Sequence, residues 1–190
     1  MKTIAEINRA HAEIFDGFYT LVYGEGDSRA HLMLVGEAPG AKEEMLRRPF
    51  VGTAGKNLDA FLAGIGLRRE ALYITNAVKF RPTKEGVSGR LSNRPPTGEE
   101  VSLFRPWLLE ELAAVSPRVV ATLGNTALRA VTGNTALTIG ETHGIPRPLG
   151  KNAQTIVFPL YHPASIIYRR ALLEVYEADV VRLRAYLEEN

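Results

Sequence analysis

The sequence predicts an α/β fold of three layers (α/β/α), in which helices cover both faces of a central, mainly parallel sheet of four strands. Four short apolar runs, each of about five residues, have the length of buried strands, and β-branched residues are frequent in the last three. These runs are residues 31–35, 72–75, 119–123 and 155–160. Helical patterns lie between them, and strands that alternate with helices are joined by crossovers that favour parallel pairing.

Three segments carry apolar residues at helical spacing: residues 54–65, 97–115 and 171–188. The first has Leu58 and Leu62 on one face. The second begins with Thr97 and Glu100, which have the spacing of a capping box. Pro106 is expected to kink or interrupt this helix near its start, because proline lacks the N–H that a helix interior uses.

The chain of 190 residues is expected to form a single domain spanning residues 1–190, since no linker or internal repeat is visible. No apolar run approaches the roughly 18 residues that cross a membrane. The N-terminal residues also lack the apolar core of a signal peptide. The expectation is an intracellular, cytoplasmic protein without membrane contact, and a monomer is the default.

The formal net charge of +2 is too small to predict a nucleic-acid partner by itself. Basic residues nevertheless crowd one stretch of the chain: Lys79, Arg81, Lys84, Arg90 and Arg94. A basic face and a set of solvated loops explain this stretch equally well. The long, polar segment 82–96 is expected to be a loop without regular structure, and such loops are usually functional or disordered.

The chain contains no cysteine, which excludes disulfides, thiolate catalysis and cysteine-ligated metal. Its four histidines are scattered without the spacing of metal ligands. We therefore expect no metal and no other cofactor.

Polar residues follow the predicted strands at the point where each strand ends. Glu37 lies in the Gly36–Gly40 segment after the first strand, Asn76 ends the second, and His162 follows the fourth. Ligands of open parallel sheets bind at the carboxyl ends of the strands, so these side chains are expected to meet. Taken singly, each has a plain structural explanation, as a turn, a helix cap and a half-buried histidine.

Several ordered motifs resemble family 4 of the uracil-DNA glycosylases, and the resemblance extends from about Ala12 to the end of the chain. The matching segments are Gly36–Gly40, Pro49–Gly55, Tyr73–Lys79, Asn93–Pro96, Arg105–Pro106 and His162–Ala164. The resemblance implies an enzyme that removes uracil from single- or double-stranded DNA and leaves an abasic site for base excision repair.

The resemblance also implies roles for individual residues. Phe50 would stack on the flipped uracil, and the Asn76 amide would read the edge that distinguishes uracil from cytosine. Backbone amides of the Gly36–Gly40 segment, which contains Ala38, would bind the O2 atom of uracil. His162 would donate a hydrogen bond to the departing uracil anion, and Glu37 would orient water or stabilise the sugar cation. Glu43 and Glu44 are expected to be solvated helix residues.

The residues after His162 are candidates for DNA contact. Apolar side chains next to a basic residue suit insertion into the space that a flipped base leaves. The candidates are Ser165, Ile166, Ile167 and Arg169, together with Arg94 from the earlier matching segment. The alternative for 165–169 is simply the first turn of the last helix.

One departure from family 4 is large, because that family holds a [4Fe–4S] cluster with four cysteines. At the corresponding positions this chain has Phe15, Phe18, Phe80 and Phe104. We expect these four rings to meet and to connect the same segments by burial, so that the fold survives without metal. The alternative is four unrelated core phenylalanines.

A second departure is the extended segment 83–92. A related group that crosslinks to uracil carries a reactive histidine there, whereas this segment contains none. It is therefore interpreted as a DNA-contacting loop or a solvated insertion. Two other functions stay open: a catalytically weak module that binds DNA or senses damage, and a glycosylase for hypoxanthine or xanthine. A nucleotide-binding enzyme is disfavoured because neither glycine-rich phosphate motif is present.

Overall fold

The structure is a computed structural model that describes residues 2–15, 17–150 and 154–189, without the side chains of residues 167, 168 and 170. The helices are α1 (Ile4–Phe15), α2 (Ala41–Leu46), α3 (Thr53–Gly64), α4 (Gly98–Val115), α5 (Asn125–Thr132), α6 (Ile139–Thr142), α7 (Pro163–Tyr168) and α8 (Leu173–Glu189). The strands are β1 (Glu25–Gly26), β2 (Leu32–Gly36), β3 (Tyr73–Asn76), β4 (Thr83–Glu85), β5 (Leu91–Asn93), β6 (Val119–Leu123), β7 (Arg147–Pro148) and β8 (Ile156–Leu160).

The main sheet has the strand order β1-β3-β2-β6-β8-β7. Its four central strands are parallel and coincide with the four predicted runs, so the predicted three-layer arrangement is confirmed. The predicted number of strands was too small: within the described ranges the sheet has six, because β1 and β7 add antiparallel edges. A two-residue strand is too short to show an alternating pattern, so the sequence does not reveal these edges.

Successive residues of β2 face opposite layers, as the pleat of a strand requires. Leu34 packs with α3 and α8 residues such as Leu58 and Leu183. Met33 packs on the other side with Leu108 of α4 and with α5. The central strands are therefore covered on both faces, and only their ends are available to a ligand.

Helix α4 begins as predicted, since the Thr97 side chain accepts a hydrogen bond from the Glu100 N–H and the Glu100 carboxylate accepts one from the Thr97 N–H. Of the two expected effects of Pro106, the interruption is wrong, because the helix continues from Gly98 to Val115, and the kink stays a prediction. Pro106 and Ser102 both lie on the exposed face of the helix. Water can there satisfy the carbonyl that proline leaves unpaired.

The segment that was expected to be an unstructured loop contains a β-hairpin formed by β4 and β5. Thr83 pairs with Asn93 and Glu85 pairs with Leu91. The Arg94 side chain donates to the Thr83 carbonyl at 3.0 Å and fixes the base of the hairpin. The hairpin therefore has a defined position on the molecule although all of its residues after Thr83 are exposed.

Three of the four substituted phenylalanines meet in an aromatic cluster, which we define as Phe15, Tyr19, Phe80, Phe104 and Trp107. The Phe15 and Phe104 rings stack with centroids 4.4 Å apart, and those of Phe80 and Phe104 are 5.5 Å apart.

The prediction for Phe18 is wrong, because its side chain is 77% exposed. Tyr19 stacks on Phe80 at 4.1 Å instead. The chain turns directly after α1, where the Phe18 N–H donates to the Phe15 carbonyl, so the next residue, Tyr19, faces inward.

Among the described helices, none combines the length and hydropathy that a bilayer-spanning segment requires.

Candidate active site

A pocket of about 400 Å³ opens at the carboxyl ends of the parallel strands. Its lining includes all four side chains that the strand-end argument and the family resemblance selected: Glu37, Phe50, Asn76 and His162. The sheet register brings them together, since Gly36 pairs with Asn76 and the β6 and β8 ends are level at Leu123 and Leu160. Asn93 and Arg94, from the base of the hairpin, complete one wall.

The absence of a side chain at Gly36 creates the floor of the pocket. A Cβ atom built at Gly36 would collide with Asn76 Oδ1 and with the Phe50 ring. Both groups therefore lie directly over the Gly36 backbone. No described hydrogen bond engages the Asn76 amide, although this residue is only 3% exposed. A buried amide that faces a pocket without a partner is suited to hydrogen-bond a ligand.

Phe50 lies in an unusual backbone conformation, with φ of 53°. Arg69 holds this conformation by donating to the Phe50 carbonyl at 3.0 Å and also to the Pro49 carbonyl. A side chain at Gly55 would overlap the same Phe50 carbonyl, so α3 can approach only because this residue is glycine. The Phe50 ring is 5% exposed and lies 6.0 Å from the His162 ring, centroid to centroid, so one of its sides lines the pocket while the rest packs in the core.

Glu43 connects the two loops that form the pocket. One carboxylate oxygen accepts hydrogen bonds from the N–H groups of Val51 (3.0 Å) and Gly52 (2.7 Å), and the other accepts from Gly40 (3.1 Å). The expectation that Glu43 is a solvated helix residue is therefore wrong. Its spacing of three residues from the N-cap Gly40 is that of the acidic residue in a capping box, and this spacing is visible in the sequence although glycine cannot supply the second bond of the box. Glu44 forms an ion pair with Arg81 at 3.3 Å.

His162 is the N-cap residue of α7, and its Nδ1 atom accepts a hydrogen bond from the Ala164 N–H at 3.1 Å. The ring proton of the neutral imidazole must then lie on Nε2. Burial lowers the pKa of His162 to about 4, and the nearby negative charge of Glu43 opposes this shift only in part. At neutral pH His162 is thus an uncharged donor through Nε2.

Glu37 is half-buried, and one of its carboxylate oxygens accepts a hydrogen bond from the Thr126 hydroxyl at 2.6 Å. Thr126 lies in the first turn of α5, directly after β6. The Glu37 backbone carbonyl accepts from the Val78 N–H, which extends the pairing of the two segments beyond β2 and β3. The carboxylate is therefore oriented, and its second oxygen remains available to water or substrate.

The candidate DNA-binding residues are less uniform in their surroundings. Arg94 donates two hydrogen bonds to Glu100, at 2.6 and 2.7 Å, so its guanidinium already has a carboxylate partner. Ile166 is 7% exposed and belongs to the core, so its side chain is not available as a wedge in this structure. Arg169 is exposed, Ser165 is partly buried, and the Ile167 side chain lies outside the described part of the chain. The DNA contacts of this segment stay a prediction.

The residues at the positions of the cluster cysteines do not fit an iron–sulfur cluster. Phenyl rings offer no ligating atom, and the chain has no cysteine. The Phe15, Phe80 and Phe104 rings also occupy the space between their segments. Across residues 2–15, 17–150 and 154–189, no group of three or more His, Asp or Glu side chains converges as metal ligands would.

Comparisons with known proteins agree with this geometry. The family model of the uracil DNA glycosylase superfamily matches residues 23–184. A type-4 uracil-DNA glycosylase of Archaeoglobus fulgidus is 39% identical over 169 residues, which cover 85% of this chain and 79% of that protein. A type-4 uracil-DNA glycosylase of Sulfurisphaera tokodaii is 36% identical over 172 residues, which cover 86% of this chain and 73% of that protein.

The crystal structure of SMUG2 from Pedobacter heparinus has a TM-score of 0.60 and 10% sequence identity, and covers 85% of this chain and 76% of that one. At this identity the likeness concerns the fold alone. The match of the family model over most of the sequence, with the relatives at 36–39% identity, is decisive. This chain belongs to the uracil DNA glycosylase superfamily.

Proposed function

We propose that this enzyme is a monofunctional uracil-DNA glycosylase that flips uracil out of DNA and hydrolyses its N-glycosidic bond, leaving an abasic site. The observation that carries the proposal is the neutral His162, whose Nε2–H is free to donate while Phe50 and Asn76 line the same pocket. A cavity of about 400 Å³ is small for a ligand site and suits a single base.

Recognition of the base would use three kinds of contact. The Phe50 ring stacks on uracil, and the Asn76 amide accepts from N3–H and donates to O4. The family resemblance assigns backbone amides of Gly36, Ala38 and Gly40 to O2, but the Gly40 N–H already donates to Glu43, so we assign O2 to the Gly36 and Ala38 end of this segment. Cytosine presents the opposite pattern at the edge that Asn76 reads, and would leave buried polar groups unpaired at a cost of about 1–3 kcal/mol.

Cleavage builds negative charge on the departing uracil and positive charge on the sugar. His162 Nε2–H donates to O2 and stabilises the uracil anion, an effect that is typically about 2.7–4 kcal/mol in the barrier. Glu37, whose second oxygen is free, orients the attacking water or stabilises the sugar cation. The catalytic roles therefore fall to two oriented groups at the ends of β2 and β8.

The proposed substrate is uracil-containing DNA, single- or double-stranded, bound by the whole chain acting as one monomeric, cytoplasmic domain. Flipping costs a few kcal/mol, which stacking and hydrogen bonds to the base recover. Arg94, Ser165, Ile167 and Arg169 are the proposed DNA-binding residues, whereas Ile166 would need to leave the core to take part.

Hydrolysis without strand cleavage is supported by the positions of the nearby lysines. Lys79 is fully buried and paired with Glu111, so it cannot reach a sugar. Lys42 lines the pocket and is exposed, so it is the lysine that an experiment must exclude as a nucleophile. Borohydride treatment of a reaction mixture should trap no covalent complex, and a trapped complex that disappears in Lys42→Ala would overturn the monofunctional assignment.

The central test is a gel assay of purified protein on uracil-containing and control oligonucleotides, beside Asn76→Ala and His162→Ala. We expect abasic sites at uracil for the native protein and a loss of at least 100-fold in both variants. The matched controls are Asn134→Ala, in an exposed loop, and His31→Ala, exposed at the opposite end of β2. Binding of DNA without release of uracil would favour the weak binding module, and release of only hypoxanthine or xanthine would favour the other substrate class.

A further inference from the structure

A fully buried ion pair lies behind the floor of the pocket. Lys79 Nζ is 2.5 Å from Glu111 Oε2, and neither side chain has any solvent exposure. Lys79 follows β3 by three residues, and Glu111 lies in the C-terminal half of α4. The mechanism above uses neither group, because no atom of either lines the pocket.

The hydrogen-bond partners of this pair belong to β3. Lys79 Nζ also donates to Thr75 Oγ1 at 2.6 Å and to the backbone carbonyl of Asn76 at 2.8 Å. Glu111 accepts from the hydroxyls of Tyr73 and Thr75, each at 3.1 Å. Burial, together with the charge of Glu111, raises the pKa of Tyr73, so its hydroxyl remains a donor.

Stability alone does not account for such an arrangement. Removing two charges from water is costly, and apolar residues of similar volume usually stabilise a core as well or better. The remaining core around α4 is apolar, with Leu108, Trp107 and Val115 fully or nearly fully buried. If stability were the only requirement, an apolar core would serve equally well here, so the contacts of the network are the guide to any further role.

The Asn76 carbonyl lies at the last paired residue of β3, where the strand ladder ends. Beyond it, the Ala77 N–H donates to the Gly36 carbonyl. The hydrogen bond from Lys79 holds the other side of the same peptide unit. Rotation of this peptide would move the side-chain carboxamide of Asn76 relative to Phe50 and to the Gly36 backbone at the floor of the pocket. The hydrogen bond from Lys79 opposes this rotation.

We propose that Lys79 and Glu111 are positioning residues, which fix the end of β3 so that the Asn76 amide keeps the geometry needed to read the uracil edge. The inference rests on the proposed function, since it assigns Asn76 its role. Its effect would be on the chemical step and on base selectivity rather than on DNA affinity.

The test is the double variant Lys79→Met/Glu111→Gln. The glutamine oxygen still accepts from Tyr73, and its NH₂ group can donate to Thr75 Oγ1, which has lost Lys79 as a donor. Methionine fills the space of lysine, so the variant loses the hydrogen bond to Asn76 without leaving a buried charge. We expect its single-turnover rate on uracil DNA to fall by about 10- to 100-fold, because a misplacement of about 1 Å has effects of that size. Its affinity for abasic-site DNA should stay within about twofold of the native value.

Thr75→Val provides a second variant, because valine is favoured in strands and leaves both Lys79 and Glu111 in place. It removes one of the three acceptors of Lys79, and we expect a fall of about three- to tenfold in the same rate. The matched control is Leu108→Ala in the same helix, which should lower the thermal midpoint without changing the single-turnover rate well below that midpoint.

A native rate in whichever of these variants folds would overturn the inference and leave the pair a structural feature. An equal loss of rate in Leu108→Ala would overturn it too, since general loosening would then explain the effect. Failure of the native protein to release uracil would instead count against the proposed function itself. The two failures are thus distinguishable in one set of measurements.

Discussion

At the scale of single residues, the protonation of His162 determines the pH dependence of the proposed reaction. Its pKa is lowered from 6.5 to about 4, chiefly by burial. The neutral form therefore persists from alkaline pH down to about pH 5, and the single-turnover rate should show no step near pH 6.5. A titration of that rate between pH 4.5 and 8 tests this, with the His31→Ala variant as control. A step near the ordinary histidine pKa would contradict it.

The same shift predicts a change in stability. The unfolded chain binds a proton at His162 near pH 6.5, whereas the folded chain does so only near pH 4. The free energy of unfolding should therefore fall as the pH decreases through this window, by up to roughly 3 kcal/mol from this residue. Urea unfolding at pH 7 and pH 4.5, compared between the native chain and His162→Asn, measures the effect. An equal fall in both proteins would assign it to other groups.

Glu43 is the residue whose replacement should affect both loops of the pocket. In Glu43→Gln one of the three backbone N–H donors would face the glutamine NH₂ group and lose its acceptor. We expect the free energy of unfolding to fall by about 1–3 kcal/mol, together with a lower rate of uracil release. The neighbouring Glu44→Gln, which loses a partly exposed ion pair, should change stability by less than about 1 kcal/mol. Similar losses in the two variants would show that loop connection is not the cause.

At the scale of elements, the β4–β5 hairpin is the feature whose role the structure leaves for experiment. Lys84 and Arg90 are exposed on it, Val87 is fully exposed at its tip, and its base forms part of the pocket wall. If the hairpin contacts DNA, Lys84→Gln/Arg90→Gln should weaken binding uniformly across sequences. It should also reduce the slope of log K against log salt concentration by about two.

The control for the hairpin is the pair Arg29→Gln/Arg147→Gln, since both arginines lie toward the opposite, amino-terminal edge of the sheet. Binding is measured by fluorescence anisotropy at several salt concentrations. Unchanged affinity in the hairpin variant would support the alternative, a solvated insertion.

The elements also explain which parts of the site the sequence can predict. Glu37, Asn76 and His162 could be assigned because each follows a buried strand directly, and parallel strands end at one edge. For Glu43, the partner Gly40 could be predicted from its spacing, whereas Val51 and Gly52 lie in a loop whose path depends on the packing of α3. The hairpin was missed for a similar reason, since exposed strands of three residues lack an apolar alternation and are held by contacts at their base.

At the scale of the whole molecule, the aromatic cluster connects α1, the segment after β3 and α4, which are distant in sequence. Stacked and edge-on ring pairs at 4.1–5.7 Å connect Phe15, Tyr19, Phe80 and Phe104. Such pairs add to the stabilisation from burial of the rings themselves. The location of three phenylalanines was predictable from aligned motifs, but the exchange of Phe18 for Tyr19 follows from a local turn that the motif does not specify.

Phe104 is at the centre of this cluster and has no solvent exposure, so Phe104→Ala should lower the free energy of unfolding by about 3–5 kcal/mol. For a chain of this length that corresponds to a fall of roughly 6–20 °C in the thermal midpoint. Phe18→Ala, at an exposed position only three residues from Phe15, is the matched control and should change stability by less than about 0.5 kcal/mol. Differential scanning fluorimetry with and without a chelator measures both variants beside the native chain. Because the rings connect these segments by packing, the chelator should leave all three midpoints unchanged, and a lower midpoint for the native chain would show that a metal contributes to the fold.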